Sequence, residues 1–120
     1  SREQVAKGPR LITQGHQSGD IYLIDEGRLS VLLNLPDGGT LRLRTMAEGS
    51  LVGEVASYAG LKRTADVVAE TDAVVYHAST ERIAAITGED PVLAAALHRM
   101  VAATLADKLD RTNKLLGDAE

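Results

Sequence analysis

The feature that most constrains this chain is a pair of alternating apolar runs on either side of a glycine-rich turn. Alternate residues from 29 to 35 are apolar, and from 41 to 45 leucine or threonine alternates with arginine. Alternation with period two is typical of strands that bury one face. Between the runs, Pro36 presets a turn and Gly38 tolerates positive φ. Residues 28–45 therefore predict a β-hairpin. The side chains expected on one face of its first strand are Leu29, Val31, Leu33 and Leu35, and those expected on the other are Arg28, Ser30 and Asn34.

Short strands are also predicted outside the hairpin, over residues 10–13, 20–25, 66–70 and 73–77. Turn residues separate them, with glycine soon after each of the first two strands and Thr71-Asp72 between the last two. Many short strands with turn signals between them are typical of an all-β sandwich, roll or barrel. The first three quarters of the chain therefore indicate a β architecture.

The apolar period changes to that of a helix in the last third of the chain. Ser79 is placed to cap a short helix over residues 80–86, and Gly88 is expected to end it. Asp90 and Pro91 favour a second helix start, because aspartate accepts free backbone N–H groups and proline suits the first turn. This helix is predicted to extend to about residue 116. Its expected apolar stripe consists of Leu93, Leu97, Val101, Leu105, Leu109, Thr112 and Leu116.

Composition and charge exclude several classes of function. The net charge is −4 and cysteine is absent, so we expect no direct nucleic acid binding, no disulfide framework and no thiolate–zinc site. The three histidines, His16, His77 and His98, lack the spacing of metal ligands, and no metal is expected. The sequence has no nucleophile elbow and no paired-carboxylate constellation, so we expect that the domain is not an enzyme.

One segment, residues 51–66, breaks the β pattern. Residues 54–58 are predicted to form one helical turn between Gly53 and Gly60. A short helix that follows glycine exposes N–H groups that favour an anion. Arg63 supplies a forked, permanently charged donor that suits phosphate oxygens. Glu54 can accept a hydrogen bond from a ribose hydroxyl. We interpret the segment as a cradle for the phosphate of a nucleotide.

The same segment resembles the phosphate-binding cassette of cyclic-nucleotide-binding domains. This family includes bacterial catabolite activators, protein kinase A regulatory subunits and cyclic-nucleotide-gated channels. The residues that carry the resemblance are Gly53-Glu54-Val55-Ala56 and, nine residues after Glu54, Arg63-Thr64-Ala65. Gly15, the Gly19-Asp20-x-Tyr22 step and Gly27 also match the family's pattern. The resemblance covers about residues 5–117.

The resemblance implies a mainly-β fold with α, in which a double-stranded β-helix (a jelly-roll-like β-roll) carries a short cassette helix and C-terminal helices. We expect one domain over residues 1–120, with the roll at about 8–78 and the helices at about 79–117. The helix after Asp90 is expected to be the mobile lid that transmits binding. The family often has Phe before Gly-Glu, where this chain has Val52, and this difference leaves the ligand-contacting side chains in place.

The resemblance also implies a role for each cassette residue. Arg63 is expected to pair with the cyclic phosphate, and Glu54 to accept a hydrogen bond from the ribose 2′-hydroxyl. The other predicted ligand-binding residues are Val52, Gly53, Val55, Ala56, Thr64 and Ala65. The expected ligand is cAMP or cGMP. A threonine after the arginine is often linked to cGMP, but we favour cAMP because bacterial members mostly use it.

Two interpretations of this site stay open. In the first, the domain is regulatory and transmits occupancy by a cyclic nucleotide through its C-terminal helix to an attached effector. In the second, Glu54 and Arg63 form a structural salt bridge without a ligand, as in degenerate family members, and the domain is an interaction or structural module. Tyr58 is expected in the core rather than at the base. Candidate lid residues are Arg99, Thr104 and Arg111.

The parent protein is a separate question. Leu43-Arg44-Thr45-Met46 and the stretch from Asp90 to Arg99 resemble domains at the C-termini of bacterial sulfate-permease-family transporters. We therefore expect a cytoplasmic domain, with the cytosolic part of a membrane transporter as the more specific hypothesis. If the domain self-associates, the C-terminal helix is expected to form the homodimer.

Overall fold

The computed structural model describes residues 1–119, except the side chains of Val55, Thr87, Thr112 and residues 115–119. The chain forms a first compact unit, Ser1–Thr80, and a second that begins at Glu81. The elements follow in the order β1 Arg2–Val5, β2 Arg10–Ile12, β3 Ile21–Glu26, β4 Leu29–Asn34, β5 Thr40–Met46, β6 Leu51–Val52, α1 Glu54–Ala59, β7 Asp66–Ala69, β8 Ala73–Ala78, α2 Thr80–Glu89 and α3 Pro91–Ala119.

The first unit is built from two four-stranded sheets whose paired strands are antiparallel. The strand order is β1-β8-β3-β6 in one sheet and β2-β7-β4-β5 in the other. Apart from the β4–β5 hairpin, each strand lies in the opposite sheet from the strand before it. The chain therefore winds back and forth between the sheets. This winding, together with the short α1 and the C-terminal helices, confirms the predicted β-roll class.

Aliphatic side chains form the core of the first unit. Ile24, Leu29 and Val75 are at most 1% exposed. Burying a branched aliphatic side chain contributes about 1.5–3 kcal/mol, so the core forms without Phe or Trp, which the sequence lacks. Val52 and Ala65 belong to the same buried cluster. Because these two residues flank the segment that resembles a cassette, the core holds both ends of that segment.

The predicted hairpin is present as β4 and β5. In its turn the N–H of Leu35 donates to the carbonyl oxygen of Gly39 at 2.8 Å, and the N–H of Gly38 donates to Leu35 at 3.0 Å. The carboxylate of Asp37 accepts from the N–H of Gly39 at 2.8 Å. Gly38 has φ 91°, a left-handed conformation that glycine adopts without steric cost.

The expected faces of the hairpin are partly wrong. Ser30 was expected outside but is 1% exposed, whereas Leu41 and Leu43 are 51% and 50% exposed. The register between the two strands shifts between Val31 and Leu32, which interrupts the alternation. Strand β5 also lies at the edge of its sheet. Which face is covered therefore depends on the sheet partner and not on the alternation alone.

The sequence predicts that the roll begins at about residue 8. The structure has one more strand before that point, β1. Arg2 pairs with Tyr76 and Val5 pairs with Ala73, both antiparallel. The strand lies at the edge of its sheet, and most of its residues are exposed. Its sequence is mainly polar, so it carries no apolar alternation from which a strand could be predicted.

A buried carboxylate ties the start of β7 to its neighbours. Asp66 is 3% exposed and accepts from the N–H of Gln14 at 2.7 Å and from Nδ2 of Asn34 at 2.8 Å. Nε of Arg10 lies 3.1 Å from the same carboxylate. Burial acts to raise the pKa of Asp66, but these donors and the Arg10 charge outweigh it, so the pKa lies below its ordinary value.

Helix α2 is longer than predicted. It continues through Gly88 to Glu89, so the expectation that Gly88 ends the helix is wrong. The predicted boundary at Asp90-Pro91 is present, because a proline disfavours helical backbone at the preceding residue. The Asp90 carboxylate accepts from the N–H of Leu93 at 3.0 Å, and α3 begins at Pro91. This is the N-cap arrangement that the sequence predicts.

The apolar stripe of α3 differs in part from the predicted one. Val101 is 1% exposed, and Leu97 and Leu105 are half-buried. Leu93 and Leu109, by contrast, are 48% and 62% exposed. Thr112 and Leu116 lie outside the described side chains.

None of the helices in the described part of the chain combines the length and apolar character that crossing a bilayer demands.

Candidate functional site

The cassette, defined as residues 51–66, connects β6 to β7. Within it α1, Glu54–Ala59, is one residue longer than the predicted helical turn. Gly53 and Gly60 stand at its two ends with φ 92° and 66°. Both angles lie in the left-handed region, which favours glycine. At the end of α1, the N–H of Gly60 donates to the carbonyl oxygen of Ala56, which closes the helix.

Gly53 lies where the cassette meets the loop before β3. A Cβ atom at this position would lie 2.6 Å from the carbonyl oxygen of Asp20 and 2.7 Å from Nη1 of Arg63. Both distances are shorter than non-bonded contacts allow, and the nearer atom is backbone. The absence of a side chain at residue 53 therefore lets the guanidinium group reach this point.

The guanidinium group of Arg63 is buried at the centre of the site. Its Nη1 donates to the carbonyl oxygen of Gly53 at 2.8 Å, and its Nη2 to that of Asp20 at 2.6 Å. The hydroxyl of Ser18 lies 3.4 Å from Nη2. Among the described residues, no acceptor lies within hydrogen-bonding distance of the buried Nε. Burial lowers the pKa of Arg63, although an arginine in a protein stays charged.

Glu54 lies beside this cation. Its side chain is 0% exposed, and its charge acts on Arg63 in the direction that favours the protonated guanidinium. A buried carboxylate is costly unless it is paired or hydrogen-bonded. Its place at the first residue of α1 also suits the positive end of a helix. The structure thus brings Glu54, Gly53 and Arg63 together.

The other predicted site residues fall into two groups. Val52, Ala56 and Ala65 are buried, at 3%, 9% and 8% exposure, so their side chains pack inside the unit. Thr64, in contrast, is exposed beside the buried Arg63. Val55 lies in α1, and its side chain is outside the described set. Any ligand contact by Val52, Ala56 and Ala65 is therefore predicted to come from the backbone.

Asp20 is a site residue to which the sequence assigned no role. Its carboxylate lies 2.8 Å from Nε2 of His77 and accepts from the N–H of Thr80 at 3.0 Å. Burial acts to raise the pKa of Asp20. The hydrogen bonds from His77 and Thr80 and the His77 charge together outweigh burial, so the pKa lies below its ordinary value. The Gly19-Asp20 step in the sequence pointed to this position. The partners of the Asp20 carboxylate could not be predicted, because they lie 57 and 60 residues away.

Residues with weaker predicted roles are placed as follows. The expectation that Tyr58 packs in the core is wrong, because it is 42% exposed on α1. The lid candidates Arg99, Thr104 and Arg111 belong to the second unit. There the hydroxyl of Thr104 donates to the carbonyl oxygen of Met100 at 2.9 Å, and Arg111 pairs with an aspartate one turn earlier.

Comparisons with known proteins found a family model and curated relatives that match this chain. The family model described as the cyclic nucleotide-binding domain matches residues 2–90. An uncharacterised NTE family protein of Mycobacterium bovis is 30% identical over 104 residues, which are 87% of this chain and 17% of that protein. An uncharacterised ABC transporter ATP-binding protein of the same organism is 35% identical over 69 residues, which are 58% of this chain and 21% of that protein. The chain therefore spans only about a fifth of the curated relatives it matches.

Solved structures share the fold at lower identity. A cyclic nucleotide-binding domain from Methylobacillus flagellatus KT superposes with a TM-score of 0.87 and 18% identity, covering 99% of this chain and 67% of that one. The catabolite activator protein of Thermus thermophilus superposes with a TM-score of 0.80 and 24% identity, covering 98% of this chain and 53% of that one. At these identities the likeness shows the fold alone.

Proposed function

The chain belongs to the family of cyclic nucleotide-binding domains, and from this we propose that its cassette binds a cyclic nucleotide monophosphate, cAMP in preference to cGMP. Domains of this family are generally regulatory rather than catalytic. The observation that carries the proposal is the buried guanidinium of Arg63, whose Nε has no acceptor among the described residues. A buried donor without a partner is costly, so the site favours a ligand that supplies one.

A cyclic phosphate is such a ligand. Its oxygens are anionic acceptors, and a hydrogen bond to a charged group contributes about 1.5–3 kcal/mol. The carbonyl oxygens of Gly53 and Asp20 already hold Nη1 and Nη2 of Arg63, which orients the guanidinium plane before a ligand arrives. Preorganisation of this kind lowers the entropic cost of binding. In this proposal the phosphate binds at Arg63.

The nucleoside contacts follow from the neighbouring residues. Glu54 offers a buried carboxylate that would accept a hydrogen bond from the ribose 2′-hydroxyl. The backbone groups of Gly53, Val55 and Ala65 would complete the contacts to the sugar phosphate. Thr64 is exposed, so its hydroxyl is accessible to the base of the ligand. A similar solved structure is described as cAMP-bound PfPKA-R, which supports cAMP as the ligand.

We also propose that occupancy is transmitted through the C-terminal helices to an attached effector. The curated relatives are several times longer than this chain, which supports the presence of such a partner in the parent protein. A transporter is one candidate, since one relative is named as an ABC transporter ATP-binding protein. In this proposal residues 1–120 act as one regulatory domain in the cytoplasm.

Self-association through α3 is a further part of the proposal. Leu93 and Met100 are 48% and 45% exposed and lie seven residues apart. A spacing of seven residues places side chains on the same face of a helix. We therefore propose that α3 forms the contact if the domain is a homodimer.

Isothermal titration calorimetry with cAMP tests the site. We predict that Arg63→Ala weakens cAMP binding by at least about tenfold, because the charge-assisted contact to phosphate is lost. Lys62→Ala is the matched control, since it removes an exposed charge from the adjacent residue. Its affinity should stay close to that of the unmodified chain. An unchanged affinity in Arg63→Ala would contradict the assignment of the phosphate to this residue.

Thermal melting separates this proposal from a degenerate module without a ligand. A ligand that binds only the folded state stabilises it by about 2.7 kcal/mol at a hundred times its Kd. We therefore expect millimolar cAMP to raise the melting temperature, and cGMP to raise it less. A melting temperature that neither nucleotide changes would favour the degenerate interaction or structural module.

A further inference from the structure

His77 is the residue around which this inference is built. Its Nδ1 lies 2.6 Å from a carboxylate oxygen of Glu3, and its Nε2 lies 2.8 Å from one of Asp20. Its ring stacks on that of Tyr22, with centroids 4.5 Å apart and an angle of 20° between the planes. These contacts come from β1, from the loop before β3 and from β3 itself. The ring of His77 on β8 is therefore contacted by three separate segments of the chain.

This geometry depends on the charge of the imidazole ring. A neutral imidazole has one N–H and one lone pair, whereas the imidazolium ion has two N–H donors. Only the imidazolium ion can therefore donate to both carboxylates at once. In the neutral ring, one nitrogen lone pair would face a carboxylate oxygen at less than 3 Å. The arrangement of Glu3, His77 and Asp20 is thus complete only when His77 is protonated.

Asp20 connects this arrangement to the cassette. Its carboxylate faces His77 and the N–H of Thr80, while its own carbonyl oxygen accepts the hydrogen bond from Nη2 of Arg63 at 2.6 Å. A Cβ atom at Gly53 would also meet that carbonyl oxygen, so the packing around it is tight. A displacement of Asp20 would therefore change the hydrogen bond that holds the guanidinium group of Arg63.

The charges around His77 determine whether its protonation strengthens or weakens the binding of an anion. The carboxylates of Glu3 and Asp20 face the histidine, and the ring of Tyr22 stacks on it. The Arg63 cation acts electrostatically on Tyr22. The N-terminal amino group donates to the backbone carbonyl oxygen of His77 at 2.7 Å. Burial raises the pKa of Tyr22, so this phenol stays neutral near pH 7. When His77 loses its proton, the positive charge that balances the carboxylates of Glu3 and Asp20 is lost near the anion site, and an anionic ligand binds less tightly.

Solvent has access to the histidine. Its side chain is 22% exposed, and together with Glu3 and Tyr22 it lines an open cavity of about 300 Å³. Histidine ordinarily changes charge between about pH 5 and 8.

We infer that His77 is a positioning residue for the anion site: its protonated ring holds Asp20, whose carbonyl oxygen holds Arg63, so that the affinity for a cyclic nucleotide rises as the pH falls. The inference rests on the proposed function, since it concerns the same site. It adds a regulatory input, the local pH, that acts without any contact between His77 and the ligand.

Calorimetry with cAMP at about pH 5.5 and about pH 8 tests the inference. We expect cAMP to bind about fivefold more tightly at the lower pH, which is the small end of typical coupling between sites. His77→Gln should bind with the same affinity at both pH values. The matched controls are His98→Gln on α3 and His16→Gln, both exposed histidines, and both should keep the pH dependence. Loss of the pH dependence in His16→Gln instead would overturn the role of His77.

A second variant guards against a fold defect in His77→Gln. Glu3→Gln removes one of the two facing carboxylates at a side chain that is 45% exposed. It should move the midpoint of the pH dependence to lower pH, which a purely structural histidine would not cause. If cAMP binds with one affinity at both pH values, the histidine role is wrong and the proposed function stands. If neither cAMP nor cGMP binds at either pH, both are wrong.

Discussion

The carbonyl oxygen of Gly53 lies 2.8 Å from Nη1 of Arg63, and this contact exists because residue 53 has no side chain. The same residue adopts φ 92°, which an L-amino acid with a Cβ rarely adopts. Two separate constraints, backbone conformation and close approach, therefore act on one position. Arg63 in turn donates to two carbonyl oxygens, those of Gly53 and Asp20.

Substitution of Gly53 by alanine should show both constraints. We predict that Gly53→Ala lowers the free energy of unfolding by at least about 2 kcal/mol, from left-handed strain together with overpacking. The measurement is chemical denaturation. Gly38→Ala is the matched control, because Gly38 has φ 91° but nothing within 4 Å of an added Cβ. It should cost about 1 kcal/mol, and equal losses in the two variants would mean that the clash is absent.

At the scale of elements, α2 shows how context changes the meaning of a glycine. A glycine near the end of an apolar helical segment predicts a C-terminal cap. Here α2 continues through Gly88, and Asp90-Pro91 determines where it ends. The proline is the stronger signal, because its ring and its missing N–H disrupt the backbone, whereas glycine is only a weak helix former.

The sign of one substitution tests this assignment. Gly88 is exposed inside α2, and a Cβ added there meets nothing within 4 Å. We predict that Gly88→Ala raises the free energy of unfolding by about 0.5–1 kcal/mol, because alanine is the better helix former. Chemical denaturation measures the change. A lower free energy of unfolding would indicate that Gly88 caps the helix in a left-handed conformation.

At the scale of the molecule, carboxylates link distant segments of the first unit. Asp66 joins β7 to Arg10 on β2 and Asn34 on β4, and Asp20 joins the loop before β3 to His77 on β8. The pKa values of both aspartates lie below the ordinary value of 3.8. A lowered pKa means that the folded state prefers the charged form. The stabilisation is therefore present above about pH 4 and is lost as the pH falls through the folded-state pKa.

Acid unfolding measures this contribution. We predict that Asp66→Asn lowers the free energy of unfolding by about 1–3 kcal/mol at pH 7, because the donors from Gln14 and Asn34 then share one oxygen at a buried position. The difference from the unmodified chain should shrink at acid pH, where Asp66 itself becomes protonated. Asp107→Asn, at a side chain that is 57% exposed, is the control and should change stability by at most about 0.5 kcal/mol. A difference that is constant with pH would contradict the role assigned to the charge.

The sequence by itself determined the parts that depend on neighbours along the chain. Alternation and the Pro36–Gly39 turn predicted the hairpin, and Asp90-Pro91 predicted the start of α3. The segment from Gly53 to Ala65 predicted the cassette and its short helix. These signals are local, because strand period, turn conformation and helix capping each involve a few consecutive residues.

Only the tertiary structure decided what surrounds each of those residues. Arg63 reaches the carbonyl oxygen of a residue 43 positions earlier, and Asp20 pairs with a histidine 57 positions later. The polar β1, which supplies Glu3, became visible only through its pairing with β8. Burial and charge pairing depend on which strands become neighbours, and strand order follows from packing of the whole roll rather than from any local pattern. The short helix between Gly53 and Gly60 could therefore be predicted from the sequence, whereas the contact between Asp20 and His77 could not.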